Sequence, residues 1–533
     1  MSLARLRADD LRVGLRFFAA LPRFLRTPLS LDAMRAIVSE RRARRARALI
    51  DTVTLACALP ASPYARLFAH AGLDPAGVGP MVRRDGVEGT LATLLAAGVC
   101  LTGDEFKGRA PVVRGSLAFT VDPVALVNPR ATVHGVSESS GSRGARTPVP
   151  IDLAAIRDHA VNTAVSLDAH GGTGWRHAHY GIPGGTSVTN PLEFAKAGHP
   201  PVRGYTSVDP ASRELHPRYR LGARALRLAS LLAGVALPVP EYAPLDDPAP
   251  IVRWLREELD AGRTPHVWTY ASSAVRICQA ATDSRVDIAG ARFTCGGEPT
   301  TAARRAAVEV TGASALPRMG TTETDILSYA CARHEAPDDM HFFDDRHALI
   351  APDAESVRGG MPADAMVLTS LLPTAPILLL NVCMGDRATV VRGDCGCGLA
   401  RDGWTVRIRD VRSFEKLTAG GMTLLDADVV RVLDDVLPAR YGGRTGDWQI
   451  VERHDGAGGR PEVLLVVDPA VGALDDAAVV EAFLEAIGGG DSGERMMQMQ
   501  WRTGGVVRLV RERPMRTVSG KILHVHADRP TAA

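Results

Sequence analysis

Several short stretches of the sequence hold residues whose types and spacing suit the binding of a phosphate-bearing ligand. Ser139-Ser140-Gly141-Ser142-Arg143-Gly144-Ala145-Arg146-Thr147 combines small residues with hydroxyl and guanidinium donors. Small side chains let backbone N–H groups approach phosphate oxygens, and the hydroxyls and arginines add donors and charge. It is not a Walker A loop, because no G-x-x-x-x-G-K-[ST] occurs in the chain. Read alone, such a stretch is an ordinary polar loop. Cys295-Gly296-Gly297-Glu298-Pro299-Thr300 follows an apolar run and precedes a helical one. Two glycines at a strand end make room for a flat ligand, although a capped strand–helix turn has the same look. Met319-Gly320-Thr321-Thr322-Glu323-Thr324 sets hydroxyls beside a carboxylate, which suits a phosphate and its Mg²⁺. Gly385-Asp386 places an acid where it can accept both hydroxyls of a ribose, or simply close a turn. Near the C-terminus, Ser519-Gly520-Lys521-Ile522 offers a compact positive charge on a loop able to reach another domain.

A second constellation suits a metal. Cys331 and His334, with Cys395 and Cys397, supply three sulfurs and a nitrogen for tetrahedral Zn²⁺, and His341 competes with His334 for the fourth place. Unliganded surface thiols are the alternative. Cys57, Cys100 and Cys278 sit in apolar neighbourhoods and read as core residues.

Each of the phosphate stretches is common alone. In this order and spacing, from about Ser139 to Ile522, they resemble the adenylate-forming superfamily of acyl- and aryl-CoA ligases, adenylation domains and luciferases. The nearer likeness is to the phenylacetate–CoA ligase branch. It rests on Ser62-Pro63-Tyr64-Ala65-Arg66-Leu67-Phe68, the Ser-Ser-Gly loop, the Cys-Gly-Cys-Gly segment and Asp447-Trp448-Gln449-Ile450-Val451.

The resemblance implies ATP and Mg²⁺ as cofactors, a small carboxylic acid as substrate and CoA as co-substrate. It implies that Ser139, Ser140, Gly141, Ser142, Arg143, Gly144 and Thr147 cover the β- and γ-phosphates. Gly297, Glu298 and Pro299 would line the adenine, with Gly320 and Thr321 beside the nucleotide. Thr322 would meet the α-phosphate and Glu323 would hold Mg²⁺. Asp386 and Arg412, the latter in a degenerate hinge Arg412-Ser413-Phe414-Glu415-Lys416, would hold the ribose, and Lys521 would be the lysine of adenylation. Arg444-Thr445-Gly446-Asp447 competes nominally for the ribose, but it lies past the hinge and leads into Trp448-Gln449-Ile450-Val451, so the ribose is assigned to Asp386. The acyl pocket would draw on Gly296, His177, His179, Tyr180, Trp268 and Tyr270, with Arg176 available to a second acidic group on the substrate.

Departures from the family pattern fall at Arg143, Met319 and the hinge pair Phe414 and Glu415. The hinge keeps other acceptors open: a carrier-protein thiol, or an amine or other nitrogen nucleophile. A catalytically inactive binding homologue is the reading from a different class, against which Glu323, Asp386, Arg412 and Lys521 together argue.

The elements that must position these residues are legible in outline. The sequence predicts a helical arm over 1–95, a large α/β body over 96–410 and a small α+β lid over 411–533. Thr163–Leu167, Pro265–Tyr270, Ala291–Thr294 and Pro376–Val382 read as buried strands, and Pro250–Ala261 and Thr301–Val310 as helices. Composition narrows the function classes. With 62 Lys+Arg against 60 Asp+Glu and 5% aromatic residues, neither charge nor stacking favours nucleic acid. The first 50 residues hold twelve arginines and four acids, densest at Arg41, Arg42, Arg44, Arg45 and Arg47. That run reads as the solvated face of one helix from Leu31 to Leu49, with a membrane surface, a carrier protein or a neighbouring subunit as the alternative. No stretch is long and apolar enough for a membrane span, and a cytoplasmic protein is expected. The sequence leaves the oligomeric state open, a homodimer included.

Overall fold

The computed structural model describes residues 3–138, 147–212, 215–352, 361, 363–413, 417–419, 422–424, 429, 432–443, 447–453, 462–488, 492–515 and 525–528. Helical periodicity before residue 97 becomes five helices, Leu3–Leu25, Leu31–Ala43, Arg45–Ala58, Pro63–His70 and Val78–Ala96. The single helix expected from Leu31 to Leu49 is two, interrupted at Arg44, whose ψ of 4° leaves the helical range. Ser30 and Ser62 open their helices by accepting from Ala33 N and Ala65 N at 3.3 and 3.2 Å.

The arginine run does not simply face water. Arg41 reaches Asp158 at 2.7 Å and Asp345 at 3.4 Å, Arg42 reaches Asp344 at 3.9 Å, and Arg45 pairs with Glu88. Arg44 and Arg47 stay exposed, each paired within its own stretch of helix. Arg41 and Arg42 are therefore matched by acids of the body, and Arg45 by an acid of the arm itself.

One twelve-stranded sheet dominates that body. From edge to edge its strands are His347–Ile350, Ala365–Ser370, Val382–Arg392, Val406–Ser413, Met340–Phe342, Asp325–Ala330, Ser314–Thr321, Arg292–Gly296, Pro265–Tyr270, Arg176–Gly181, Arg203–Thr206 and Glu241–Tyr242. Ser314–Thr321 is the seam: it pairs parallel with Arg292–Gly296 and antiparallel with Asp325–Ala330. Every strand beyond it on the Arg292 side is parallel, as helical crossovers require. Apolar residues of Ala249–Asp260 and Ala271–Asp283, such as Trp254 and Val275, bury against Val267 and Phe293 of this half. The arm covers the antiparallel half, where Tyr64, Phe68 and Leu91 join Leu327, Val367 and Leu380 in one core.

Two expected strands are not strands. Thr163–Leu167 lies in the helix Leu153–Ala169, begun by Asp152, which accepts from Ala154 N at 2.9 Å. That helix is buried nearly all round, so its apolar run lacks the polar stripe that separates helix from strand in sequence. Pro376–Asn381 is buried but bent, with a left-handed φ of 49° at Asn381, and has little ladder. Leu379 N and Asn381 N donate to the hydroxyls of Ser370 and Thr369 at 3.1 and 2.9 Å, and Leu380 N donates to the Tyr64 hydroxyl at 3.2 Å. The regular strand starts at Val382.

The C-terminal part has its own sheet, ordered Val507–Arg511, Glu462–Val467, Trp448–Arg453 and Val525–Asp528. Asp476–Ile487 and Ser492–Gly504 pack on it around Trp448, Phe483 and Trp501. Arg276 of the body donates to Gly504 O at 2.9 Å and ties the two parts together. No helix among the described residues is long and apolar enough to cross a membrane.

Candidate active site

The carboxyl ends of the parallel strands at the seam open into one cleft of about 1920 Å³, where ligands of open α/β sheets are expected to sit. Gly181, Thr206, Tyr270, Gly296 and Thr321 end their strands on it. Glu452, Met496 and Met497 of the C-terminal part close its far side.

On the nucleotide side the chain turns sharply after Arg292–Gly296. Gly297 has φ +73°, and a Cβ there would stand 2.9 Å from Tyr270 Cδ1, so glycine is required on both counts. The Glu298 carboxylate is buried and turned into the protein: it accepts from Ser272 N at 2.9 Å and Ser272 Oγ at 3.0 Å, with Arg304 at 3.5 Å. The adjoining residues Gly297, Pro299 and Thr300 also line the cleft, so the backbone of this turn faces a ligand while the acid anchors it.

Gly320 and Thr321 end the seam strand, and Thr322 and Glu323 lie in the turn that leads to Asp325–Ala330. A Cβ at Gly320 would meet Asp325 O at 2.2 Å. Thr322 is exposed to the cleft, whereas Glu323 is buried and faces the ammonium of buried Lys107 at 3.6 Å. Lys107, which no sequence motif marks, is a cation of the cleft wall. Asp386 and Arg412 line the cleft from adjacent strands. Register sets Ser413, not Arg412, opposite Asp386. Arg412 is held by Asp338 at 3.0 Å, and Asp338 also accepts from the backbone of Asp410 and Val411. Thr147 is described and buried but does not line the cleft; Ser139 to Arg146, Phe414 to Lys416, Arg444 to Gly446 and Lys521 lie outside the described residues.

At the other end, His179, Tyr180, Trp268 and Tyr270 reach the cleft together with Gly296. Tyr180 spends its hydroxyl on Ala243 O at 2.9 Å. Burial, with Arg318 nearby, pushes His179 down to about 4, so its ring is neutral. His177 does not line the cleft. It shares a strand face with His179 but lies two residues deeper, against Phe194 and 2.9 Å from His266 Nδ1. Arg176 stands at the opposite end of that strand, 3.6 Å from Glu258, and cannot meet a substrate in the cleft.

Arg318, Asp325 and His159, which no sequence motif marks, complete this end. His159 Nδ1 meets Asp325 Oδ2, and Glu193 lies beside them within metal-ligating range. Burial alone would raise the Asp325 carboxyl, but His159, Arg318 and Arg346 outweigh it and hold it ionised. Burial and the Asp325 charge push the Glu193 carboxyl well up. Two guanidiniums at this cluster favour a proton-sharing network over a bound cation.

No protein-family model and no curated protein sequence matches the chain. Among solved structures, it is similar to a 2-hydroxyisobutyryl-CoA ligase in complex with 2-HIB-AMP and CoA in the thioesterification state. The TM-score is 0.57 at 18% identity, over 92% of this chain and 90% of that one. The chain shares the fold of that ligase. The same ligase in its postadenylation state gives a TM-score of 0.48 at 18% identity, over 92% and 90% of the two chains. An o-succinylbenzoate CoA synthetase from Bacillus subtilis gives 0.40 at 13% identity, over 77% and 72%.

Away from the cleft, Cys331, His341, Cys395 and Cys397 converge, with all ligand atoms inside 4.8 Å. Cys331 Sγ and Cys395 Sγ are 3.6 Å apart, and His341 Nε2 is 3.5 Å from Cys395 Sγ and 3.1 Å from Cys397 Sγ. His341 Nδ1 donates to Trp404 O at 2.5 Å, which leaves the Nε2 lone pair facing the sulfurs. His334 is outside the group, 3.3 Å from Arg305. The cluster is at the far end of Asp325–Ala330 from the cleft, about 17 Å away by strand rise.

Proposed function

We propose that the chain activates a small carboxylic acid with ATP and passes the acyl group to a thiol, that of CoA. One observation carries this reading: the turns after Gly296 and Thr321, with Asp386 and Arg412, face a single cleft at the seam of the sheet. A substrate carboxylate oxygen attacks the α-phosphorus of ATP; the new O–P bond forms as the bond to the β-phosphate oxygen breaks, and pyrophosphate leaves. A thiol then attacks the acyl carbon, losing its proton, and AMP departs. A carboxylate oxygen is a poor leaving group, and AMP is a good one.

In this reading Thr322 donates to the α-phosphate, and Asp386 and Arg412 orient the ribose. Lys521 stabilises charge on the developing acyl phosphate. Glu323 is the residue that would hold Mg²⁺, which supplies charge neutralisation on the phosphates when bound. Its carboxylate faces the Lys107 ammonium at 3.6 Å, so an ion held there would have to displace that cation or share the carboxylate with it. Cys331, His341, Cys395 and Cys397 are proposed to hold a structural zinc ion, whose ligands lie away from the cleft.

The test is ATP–pyrophosphate exchange across a panel of acids, with thiol and amine acceptors varied and products read by mass spectrometry. Exchange followed by a CoA thioester is expected. Exchange without a thioester moves the acceptor to a carrier protein or an amine, and absence of both exchange and nucleotide binding refutes the reading. Lys521→Ala is expected to lower exchange by at least about a hundredfold with an unchanged melting temperature; retained activity removes Lys521 from the chemistry.

A further inference from the structure

The acyl end of the cleft holds a cation to which the proposed reaction assigns no role. Arg318 interrupts the otherwise uncharged strand Ser314–Thr321. Its guanidinium lies over Trp268, 4.3 Å from the ring centre, and its side chain is 11% exposed. Its Nε is buried with no hydrogen-bond partner. The nearest carboxylate oxygen is Asp325 Oδ1 at 3.8 Å, beyond hydrogen-bond length. Asp325 Oδ2 is taken by His159.

Arg318 is also fixed in place. A side chain at Gly296 would strike Arg318 Cγ at 2.9 Å, so the glycine that ends the neighbouring strand makes the room it occupies. Arg318, Asp325, Trp268 and His179 all line the cleft. The Arg318 guanidinium, with its Nε donor unfilled, thus stands beside an ionised carboxylate, with a neutral histidine close by. A donor left unfilled in such a place is costly, and a ligand that engages this guanidinium gains what solvent cannot supply.

An oxygen set between the two groups accepts from Arg318. If it is a hydroxyl, it also donates to Asp325. A second carboxylate would meet the Asp325 charge directly, so a neutral oxygen fits this pair better. We propose that Arg318 is the specificity-determining residue of the acyl pocket, and that the acid activated here carries a hydroxyl or carbonyl oxygen on its acyl chain. This rests on reading the cleft as an acid-activating site.

Pyrophosphate exchange with matched acids tests it on the full-length protein. Each pair differs only by a hydroxyl or oxo group, and the corresponding dicarboxylate is the third arm. The oxygenated acid is expected to lead its parent by about tenfold or more in kcat/KM, chiefly through KM. In R318M that ratio falls to near one, and in R318K it is partly restored. Should R318M fail to fold, judged by its melting curve, R318K and R318Q decide through the same ratio. The proposal is overturned if parent acids match their oxygenated partners, if the dicarboxylate outruns both, or if the ratio is unchanged in the variants. Exchange by the parents alone refutes this proposal and leaves acid activation standing. If no acid exchanges and calorimetry shows no ATP binding, the cleft reading falls and takes this proposal with it.

Discussion

Removing one sulfur from the Cys331, His341, Cys395 and Cys397 cluster should empty it of metal. A tetrahedral zinc ion with Zn–S near 2.3 Å and Zn–N near 2.0 Å sets its ligands about 3.8 Å apart for S···S and about 3.5 Å for S···N. The cluster shows 3.6 Å between Cys331 and Cys395, 3.5 Å from Cys395 to His341 and 3.1 Å from Cys397 to His341. A disulfide needs sulfurs about 2.05 Å apart, so the Cys331 and Cys395 thiols are not placed to pair covalently. Side chains brought this close by three separate segments need a shared partner, and the Trp404 carbonyl already orients His341 for one. The ion would clamp the end of Asp325–Ala330 to Met340–Phe342 and to the turn after Val382–Arg392. With free zinc a thousandfold above its dissociation constant, binding stabilises the fold by about 4 kcal/mol. At about 2 °C per kcal/mol for a large domain, chelation should lower the melting temperature by roughly 8 °C. Elemental analysis should find about one zinc per chain in the wild type and less than about a tenth of that in Cys397→Ser. Cys278→Ala, in a separate apolar core, should keep its zinc. A wild-type protein produced with ample zinc yet purified without it, or an equal zinc content in Cys397→Ser, would refute the site.

Two further outcomes follow from the cleft. Gly297→Ala places a side chain at φ +73° and against Tyr270, so it should cost about 1–3 kcal/mol of stability and raise the KM for ATP; a variant with unaltered melting and exchange would show the turn is not constrained. The stability of the protein should also fall in mild acid. His179 titrates at about 4 when folded against 6.5 ordinarily, and His177 at about 3. The unfolded chain therefore takes up these protons first. The stabilisation is complete above pH 6.5 and drains as the pH falls toward 4, by about 3 kcal/mol for His179 alone in full. Urea midpoints at pH 7, 6 and 5 should descend in that order, and a flat series would mean the two rings are hydrated.

How much of this is legible in the sequence depends on how far apart the cooperating residues lie. The turns after Gly296 and Gly320 are readable because each packs its glycines, hydroxyls and acid into one short stretch between two elements. His179 and His177 show the limit of that reading. Alternation puts both on one strand face, but only the covering by Phe194, from the helix Gly185–Lys196 that follows the strand and folds back over it, decides that one is cleft and the other core. The same holds for His341 over His334, since the strand pairing of Met340–Phe342 with Asp325–Ala330 brings His341 to the sulfurs and spacing alone does not. Arg318 leaves a fainter signal: a charge inside a buried strand whose end carries a binding turn. Such a residue is expensive to bury without a purpose, and position relative to the strand end tells which purpose. Arg176 begins its strand and pairs with Glu258 away from the cleft; Arg318 lies one residue past the last parallel pairing of its strand, Pro317 with Cys295, and reaches the cleft. Two arginines of equal standing in the sequence are thus separated by the direction of the parallel sheet. For a charge in a buried parallel strand, distance from the carboxyl end is the quantity that sorts structural from ligand-facing.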